Sequence, residues 1–258
     1  MDKYGMGSIF DLSGKTAIIT GATKGIGKEF AFLLARNGVN VALIARHTDL
    51  LEEVKEQIEK FDGNAYVLPM DLTETSKIIK AVEEVHEQFG SIDILVNNAG
   101  LNIAKPSEEL TINDWDKVMD LNLKSTFFMT QAVGKYMKDQ KRGKVINISS
   151  QMAFVGYFDR AAYSTSKGGL TQLTKALAIE WAEHNININA IAPTFIETDM
   201  TRKMFEDRAF KNEVLGRIPL RKLAKEEDLF GALIYLSSRA SDMVTGHTVM
   251  VDGGWTVW

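Results

Sequence analysis

Short runs of apolar, often β-branched residues alternate along the chain with longer amphipathic segments. Segments such as "LLEEVKEQIEKF" (50–61) and "SKIIKAVEEVHEQFG" (76–90) place apolar residues at i, i+3, i+4 and i+7, which predicts helices packed on a sheet. The alternation favours an α/β fold, with a doubly wound sheet of parallel strands, right-handed crossovers and helices on both faces. Seven strands are predicted, at residues 16–20, 40–45, 65–69, 92–97, 144–149, 188–192 and 248–252.

No linker divides the chain. It has only four prolines, and no Ser/Gly-rich or highly charged run separates one half from the other. We therefore expect residues 1–258 to form a single domain. The one long stretch without a predicted strand follows Pro193, and such excursions often cover the ligand in α/β enzymes. A substrate-binding lid is expected at about residues 194–217.

Composition narrows the classes of function. The formal charge is -4 and the pI near 5.7, so nucleic acid is not expected as a partner. The absence of cysteine excludes thiolate chemistry, and the four histidines lack ligand-like spacing, so no metal site is expected. No apolar stretch approaches the ~18 residues of a membrane span, and the N-terminus lacks a signal-peptide core. We expect a soluble cytoplasmic protein with no membrane partner.

The glycine-rich stretch "TGATKGIG" (20–27) lies between the first predicted strand and a predicted helix. Gly21, Gly25 and Gly27 allow a tight turn, close approach of a phosphate and close helix packing. Free backbone N–H groups and a helix N-terminus at this position suit a pyrophosphate. Taken alone, the stretch is also compatible with an ordinary strand-to-helix turn.

A second motif, "YSTSK" (163–167), begins a helical segment and places Tyr163 and Lys167 on one face at i, i+4. A phenol titrates near pH ~10, and an adjacent cation favours the phenolate and proton transfer. The pair alone is equally compatible with a solvated helix face. Ser150, at the end of "NISS" and thirteen positions before Tyr163, favours a catalytic group instead.

Together these motifs resemble the short-chain dehydrogenase/reductase family. The resemblance extends from Gly14 to the C-terminal "VDGGW" and includes, in family order, "TGATKGIG", "MDLT" (70–73), "NNAG" (97–100), "LNL" (121–123), "NISS", "YSTSK" and "IAPTFIETDM" (191–200). It implies a Rossmann-type sheet and hydride exchange between a nicotinamide cofactor and a secondary alcohol or ketone. No metal is needed, because the protein only orients the reactants and supplies a proton.

The resemblance also implies the roles of four residues. Tyr163 exchanges a proton with the substrate oxygen, and Ser150 holds that oxygen by a hydrogen bond. Lys167 lowers the pKa of the tyrosine and holds the nicotinamide ribose. Asn122 anchors the water that leads from Lys167 to solvent.

The implied cofactor site is assembled from several motifs. Asp71 resembles the residue that accepts the adenine amino group, and Leu72 the residue that packs on the ring. Two of these positions have a second interpretation, since Asp71 also suits a helix cap and Asn97 a bridge between strands. The implied cofactor contacts are Gly21, Thr23, Lys24, Gly25, Ile26, Gly27, Arg46, Asp71, Leu72, Asn97, Ala99, Gly100, Tyr163, Lys167, Pro193, Ile196 and Thr198.

The end of the second predicted strand indicates which cofactor is preferred. NAD-specific members carry an acidic residue there, which accepts the ribose hydroxyls and repels a 2′-phosphate. This chain has Ala45 followed by Arg46, and Lys24 in the glycine turn. Two cations at these positions suit a 2′-phosphate. NADP(H) is therefore expected to be preferred, with NAD(H) possible.

Substrate choice rests on less constrained segments. Asn102, Gln151 and Tyr157 are candidates to bind the substrate beside Ser150 and Tyr163. The C-terminal part resembles gluconate 5-dehydrogenases, whereas "FIETDMTR" resembles 3-oxoacyl-[acyl-carrier-protein] reductases. The sugar-acid resemblance implies arginines just after "NNAG" that would bind a carboxylate, whereas this chain has only Lys105 nearby. The sugar-acid interpretation is nevertheless favoured over the thioester interpretation. A non-catalytic dinucleotide-binding role is a further alternative.

The resemblance further implies a homotetramer paired through the fourth and fifth helices, at about residues 113–139 and 161–184, and again through the last strand and helix. One departure from the family is Thr194 after Pro193, where glycine is usual. Candidate interface residues are Phe127, Phe128, Trp181, Trp255 and Trp258.

Overall fold

All seven predicted strands are present in the structure, a computed structural model that describes residues 6–197 and 203–257. They form one parallel sheet in the order β3-β2-β1-β4-β5-β6-β7. The first three strands have the predicted bounds, whereas β6 extends further at its beginning because Ile186 and Asn187 pair with β5. The strands are β1 Thr16–Thr20, β2 Asn40–Ala45, β3 Ala65–Pro69, β4 Ile94–Asn97, β5 Gly143–Ile148, β6 Ile186–Pro193 and β7 Thr248–Val251.

Helices connect the strands on both faces. The α-helices are α1 Met6–Ile9, α2 Gly25–Arg36, α3 Thr48–Glu59, α4 Ile78–Phe89, α5 Ile112–Met119, α6 Ser125–Gln140, α7 Ala161–Trp181, α8 Arg208–Arg217 and α9 Phe230–Ser237. Short 3₁₀ turns occupy Thr75–Lys77, Ser107–Glu109, Gln151–Ala153, Ala182–His184, Lys203–Glu206, Glu226–Leu229, Arg239–Ser241 and Trp255–Val257.

The two faces of the sheet have separate cores. Successive residues of a strand point to opposite faces, so Ile18 and Ile19 in β1 belong to different clusters. Ile19 packs in the cluster that contains Phe30 of α2, and Ile18 in the cluster that contains Met129 of α6. Burial on both faces explains why the strands are continuous apolar runs rather than alternating ones.

The order of the strands reverses between β1 and β4, which are hydrogen-bonded neighbours near the middle of the sheet. The connections from β1 and β4 leave this point toward opposite sides. A crevice therefore opens beyond the carboxyl ends of these two strands, where α/β proteins bind their ligands.

The predicted fourth helix is interrupted. A π-helical turn at Asp120–Lys124 separates α5 from α6, and it contains the buried Asn122. Such turns insert one residue into a helix and are frequent at functional sites. The 3.6-residue periodicity did not indicate the interruption, because the apolar pattern on either side is helical.

Two of the proposed interface tryptophans are buried within the chain. Trp181 packs against Gly134, where an added Cβ would lie 2.3 Å from the indole ring. Trp255 packs beside Phe205 in an apolar cluster. Their bulk fills the protein's own core, so assigning them to a subunit interface was wrong, and Trp258 lies outside the described residues.

Within the described part of the chain, none of the helices is long and apolar enough to cross a membrane. Within residues 6–197 and 203–257, no group of three or more histidine, aspartate or glutamate side chains is placed to hold a metal ion.

Candidate active site

The glycine turn between β1 and α2 leaves little room for side chains. Gly21 and Gly25 have positive φ angles of 68° and 51°, which glycine adopts without strain. A Cβ on Gly27 would lie 2.3 Å from the carbonyl oxygen of Gly21. Lys24 precedes α2 in an extended conformation and makes no side-chain capping bond. The first N–H groups of α2 are therefore free of a side-chain cap, which fits the pyrophosphate of a dinucleotide.

Two residues missed by the sequence analysis hold this turn. The Thr20 hydroxyl accepts hydrogen bonds from the backbone N–H groups of Asn98 (2.9 Å) and Ala99 (3.0 Å). In return, the Asn98 amide donates to the carbonyl oxygens of Thr20 (3.0 Å) and Gly21 (3.3 Å). The position of Asn98 just past the end of β4 was the available signal, because that strand end borders the turn.

The Asn97 side chain has the strand-bridging role that was the second interpretation of this residue. Its buried amide donates to Asn147 of β5 (2.9 Å) and to Thr130 of α6 (3.0 Å). Both amide hydrogens are thus used inside the protein. A contact between Asn97 and the cofactor remains a prediction.

Asp71 follows β3 and closes a local turn. Its Oδ1 accepts from the backbone N–H (2.9 Å) and the hydroxyl (2.7 Å) of Thr73. These bonds, with a smaller contribution from the charge of Arg46, lower the pKa of the Asp71 carboxyl. The side chain is therefore fixed and ionised beside the buried Leu72. This position is compatible with contact to the adenine amino group and also with a capping role.

The two cations predicted to bind a 2′-phosphate are both exposed. Lys24 lies in the glycine turn, and Arg46 directly follows the last residue of β2. Neither forms an ion pair with an acidic side chain in the part of the chain that is described. Their charges are therefore available to an anion at the carboxyl edge of β2.

Tyr163 and Lys167 lie in the first turns of α7, as predicted. The Lys167 Nζ lies 5.8 Å from the centre of the Tyr163 ring and donates to the carbonyl oxygen of Ile148 (2.7 Å). Only 5% of Lys167 is exposed, and burial lowers its pKa to about 8. This ammonium is thus held at the end of β5 by a backbone acceptor rather than by a carboxylate.

Ser150 meets the Tyr163 hydroxyl. A hydrogen bond between these side chains lowers the pKa of Tyr163, and so does the charge of Arg160, but burial has the larger effect and raises it. The net effect in the ligand-free protein is therefore a raised pKa of Tyr163, and the lowering of this pKa by Lys167 remains a prediction. A buried phenolate loses more hydration than these neighbours replace.

Asn122 ties the loop after β4 to α7. Its side chain accepts from the N–H of Leu101 (2.8 Å), donates to the carbonyl oxygen of Leu101 (2.9 Å) and donates to Ser166 (3.0 Å). Gly100 lies directly beside it, because an added Cβ there would lie 3.2 Å from Asn122 Oδ1 and 3.6 Å from Lys167 Nζ. The predicted Gly100, Asn122 and Lys167 therefore meet at one point.

The predicted substrate residues differ in how their polar groups are used. The Tyr157 hydroxyl donates to Glu213 of α8 (2.6 Å), and burial with this bond raises its pKa. Gln151 is 1% exposed, and no described residue bonds its amide. Asn102 is exposed on the loop after β4.

The predicted lid is partly an aromatic cluster. Tyr157 and Phe195 each lie within 5.8 Å of Trp255, measured between ring centres. Phe195 also contacts Phe205 and Phe210 at 6.0 Å. These rings close the space beyond β6.

Four positions singled out from the sequence lie at or just after the end of β6, and the structure describes three of them. Pro193 ends β6, and Ile196 is buried and pairs with Ala224. Thr194 is buried, and its hydroxyl bonds no described residue. Thr198 lies outside the described residues.

Comparisons with known proteins agree with this geometry. A family model described as short chain dehydrogenase matches residues 15–209. The chain is 38% identical to gluconate 5-dehydrogenase of Gluconobacter oxydans, over 96% of this chain and 97% of the relative. It is 41% identical to 2-dehydro-3-deoxy-D-gluconate 5-dehydrogenase of Escherichia coli, with coverages of 96% and 98%.

The chain is also similar in fold to a solved structure that was determined with bound ligands. Gluconate 5-dehydrogenase of Burkholderia cenocepacia, in complex with NADP and tartrate, superposes with a TM-score of 0.94 at 34% identity. The alignment covers 97% of this chain and 98% of that one.

Proposed function

Because the chain belongs to the short-chain dehydrogenase family, it is an NAD(P)-dependent oxidoreductase of CH–OH groups, and we propose that it interconverts a secondary alcohol and a ketone of a sugar acid. The observation that carries this proposal is the meeting of Ser150, Tyr163 and Lys167 at the carboxyl end of β5, beside the glycine turn. Relatives at 38% and 41% identity that act on gluconate-type acids support the substrate class.

Four side chains perform the proton chemistry in this proposal. Tyr163 donates a proton to the ketone oxygen, or accepts one from the alcohol, at its phenolic oxygen. Ser150 holds the same substrate oxygen and bonds the phenol. Lys167 supplies positive charge beside the ring, and Asn122 orients the loop that borders it. A bound nicotinamide supplies or accepts the hydride.

The chain's own groups fit a dinucleotide. The N–H groups of α2 and the turn from Gly21 to Gly27 would hold the pyrophosphate. Asp71 and Leu72 would hold the adenine, and Lys167 the nicotinamide ribose. Further residues proposed to border the cofactor are Thr23, Ile26, Asn97, Ala99, Gly100, Pro193, Ile196 and Thr198.

We propose a preference for NADP(H) over NAD(H). Lys24 and Arg46 are exposed and unpaired within the described chain, and Ala45 leaves no carboxylate to repel a 2′-phosphate. The relative from Burkholderia cenocepacia was solved with NADP. NAD(H) is retained as a weaker alternative.

The cofactor preference is tested by replacing both cations. The double variant Lys24→Ala/Arg46→Ala should raise KM for NADPH about 10- to 100-fold, since charge-assisted bonds contribute roughly 1.5–3 kcal/mol and exposure reduces that figure. KM for NADH should change little. Arg36→Ala removes a cation at the other end of α2, where Arg36 lies 4.9 Å from the Phe61 ring, and serves as the control. Equal changes for NADPH and NADH would contradict the assignment.

The substrate class is tested by steady-state reduction of 5-ketogluconate and of an acetoacetyl thioester with each cofactor. Turnover of 5-ketogluconate supports the sugar-acid proposal, and turnover of the thioester alone favours a 3-oxoacyl-[acyl-carrier-protein] reductase. Binding of NADPH without turnover of a broad carbonyl panel would point to the non-catalytic alternative. Tyr163→Phe provides the inactive reference.

The chain is further proposed to act as one domain, with a lid at about 194–217, in a homotetramer. An apolar groove between α6 and α7, lined by Leu123, Phe127, Phe128, Leu173 and Ala176, supports pairing through these helices. Sedimentation at the monomer mass across micromolar concentrations would contradict the assembly.

A further inference from the structure

Arg160 is a buried cation at the entrance of α7, three positions before Tyr163. Only 8% of the residue is exposed. Arginine is rarely buried to this extent unless its charge is paired, because removing a cation from water is costly. An anionic partner is therefore expected for Arg160.

The described chain does not supply that partner. The Arg160 Nη1 donates to the carbonyl oxygen of Asp159 (3.1 Å), which uses one of five guanidinium N–H groups. No acidic side chain within residues 6–197 and 203–257 forms an ion pair with it. Asp159 itself is exposed, and Glu213 is already bound to Tyr157 and Arg217.

Arg160 lies at the end of α7 that carries Tyr163, because it is the N-cap residue of this helix. It lowers the pKa of both the Tyr163 and the Tyr157 phenol, so its guanidinium lies within electrostatic reach of each. The backbone oxygen of Arg160 accepts from the N–H of Ser164 (2.7 Å), which fixes the residue one helical turn before the tyrosine. Arg160 is thus fixed close to Tyr163 at the beginning of α7.

A second polar group in this loop also lacks a partner. The Gln151 amide is buried next to Ser150, and neither its nitrogen nor its oxygen bonds a described residue. Burying an amide without hydrogen bonds is unfavourable, so a polar ligand is expected to complete it.

Lys105, the cation nearest to "NNAG" in the sequence, already has an acidic partner. Its Nζ lies 2.6 Å from Asp114 Oδ2. That carboxylate also belongs to the capping box that begins α5. Lys105 is therefore neutralised within the protein and is a poor anchor for a substrate anion.

We propose that Arg160 binds the carboxylate of the substrate acid while Ser150 and Tyr163 hold its reacting oxygen. This assignment rests on the proposed sugar-acid function. The planar guanidinium suits a carboxylate through two parallel hydrogen bonds, and the anion neutralises the buried cation. A neutral sugar of the same length would leave Arg160 unpaired, so the residue would determine specificity for acids.

The test compares 5-ketogluconate with L-sorbose, which carries CH₂OH in place of the carboxylate. Arg160→Gln should lower the ratio of kcat/KM values, acid over neutral sugar, about 10- to 100-fold. Arg160→Lys should retain part of the ratio, because it keeps the charge but not the paired geometry. Lys105→Gln is the matched control and should keep the wild-type ratio. Thermal unfolding and NADPH binding of every variant check folding.

A purely structural role for Arg160 would lower both kcat/KM values equally, and that result would overturn the proposal. The proposal would also be overturned if Lys105→Gln lowered the ratio of kcat/KM values, acid over neutral sugar, while Arg160→Gln left it unchanged.

A binding experiment separates this proposal from the sugar-acid function. Tyr163→Phe loaded with NADP⁺ should bind D-gluconate at least tenfold more tightly than D-sorbitol by calorimetry, and adding Arg160→Gln should abolish the difference. If wild-type protein reduces neither sugar, the proposed function fails, while this binding result still decides the role of Arg160. Equal affinity for the acid and the polyol in Tyr163→Phe would overturn it even if Arg160→Gln does not fold.

Discussion

The glycine turn and the aromatic cluster of the predicted lid are held in different ways. The turn is fixed by part-buried hydrogen bonds between side-chain and backbone groups of Thr20 and Asn98, near the centre of the parallel sheet. The lid side is held by aromatic contacts around Phe195 and Trp255, and by the Tyr157–Glu213 hydrogen bond near the surface. We expect the proposed cofactor site to tolerate little change, because the turn is held by hydrogen bonds near the centre of the sheet, whereas the lid contacts are more open to substitution. Substrate choice is therefore expected to change more readily than the cofactor preference.

The largest effect is expected at Tyr163, which lies beside Ser150 and Lys167. Tyr163→Phe removes the proton donor but keeps the ring, so kcat should fall about 10²- to 10⁴-fold while NADPH still binds. Steady-state rates measure kcat, and fluorescence titration measures the binding of NADPH. Tyr157→Phe removes a phenol that is bonded to Glu213, and a loss of equal size there would contradict the assignment.

Lys167 provides a test based on pH in the ligand-free protein. Its pKa is lowered by burial from 10.5 to about 8, so between these pH values the unfolded chain binds more protons than the folded one. The contribution of Lys167 to the free energy of unfolding should therefore rise with pH from about 8 to 10.5, by roughly 3 kcal/mol in total. Denaturant unfolding of wild type minus Lys167→Met isolates this slope. A flat difference would show that Lys167 is not desolvated.

The rigidity of the turn is tested by Gly27→Ala. The added Cβ would lie 2.3 Å from the Gly21 oxygen and 2.4 Å from the Asn98 amide, so stability should fall by about 1–3 kcal/mol and NADPH binding should weaken. Gly231→Ala is the control, because nothing lies within 4 Å of its added Cβ in α9. That variant should be stabilised by about 0.5–1 kcal/mol, since alanine favours a helix. Equal losses of stability in Gly27→Ala and Gly231→Ala would contradict the tight packing of the turn.

The smallest effect is expected at the lid. Tyr157→Phe loses one hydrogen bond to Glu213, which contributes about 1 kcal/mol. KM for the ketone should therefore rise about 2- to 10-fold, with KM for NADPH unchanged. Glu213→Gln keeps an acceptor and should change KM less. A larger change in KM for NADPH than for the ketone would show that the two regions are not separable.

The fold could be predicted from the sequence because its strands are apolar runs buried on both faces, as in β1 and β2. The positions of Tyr163 and Lys167 followed from helical spacing. The π turn at Asn122 could not be predicted, since it depends on bonds to Leu101 and Ser166 from distant segments.

Arg160 and the direction of the Tyr163 pKa were missed for a related reason. Both depend on burial, and burial is set by the packing of the loop from Gln151 to Arg160 rather than by its local pattern. Thr20 and Asn98 could not be predicted from the glycine motif, because the hydrogen bonds between them join segments that are distant in sequence.

The most direct test of the central claim follows the hydride itself. NADPH carrying deuterium at both C4 positions is mixed with 5-ketogluconate and the protein, and the products are analysed by mass spectrometry and NMR. Hydride transfer to the ketone should give a product that carries one deuterium on the former ketone carbon. The second deuterium should be retained in the oxidised cofactor. Oxidation of NADPH without deuterium in the sugar acid, or no reaction with NADPH bound, would contradict the central claim.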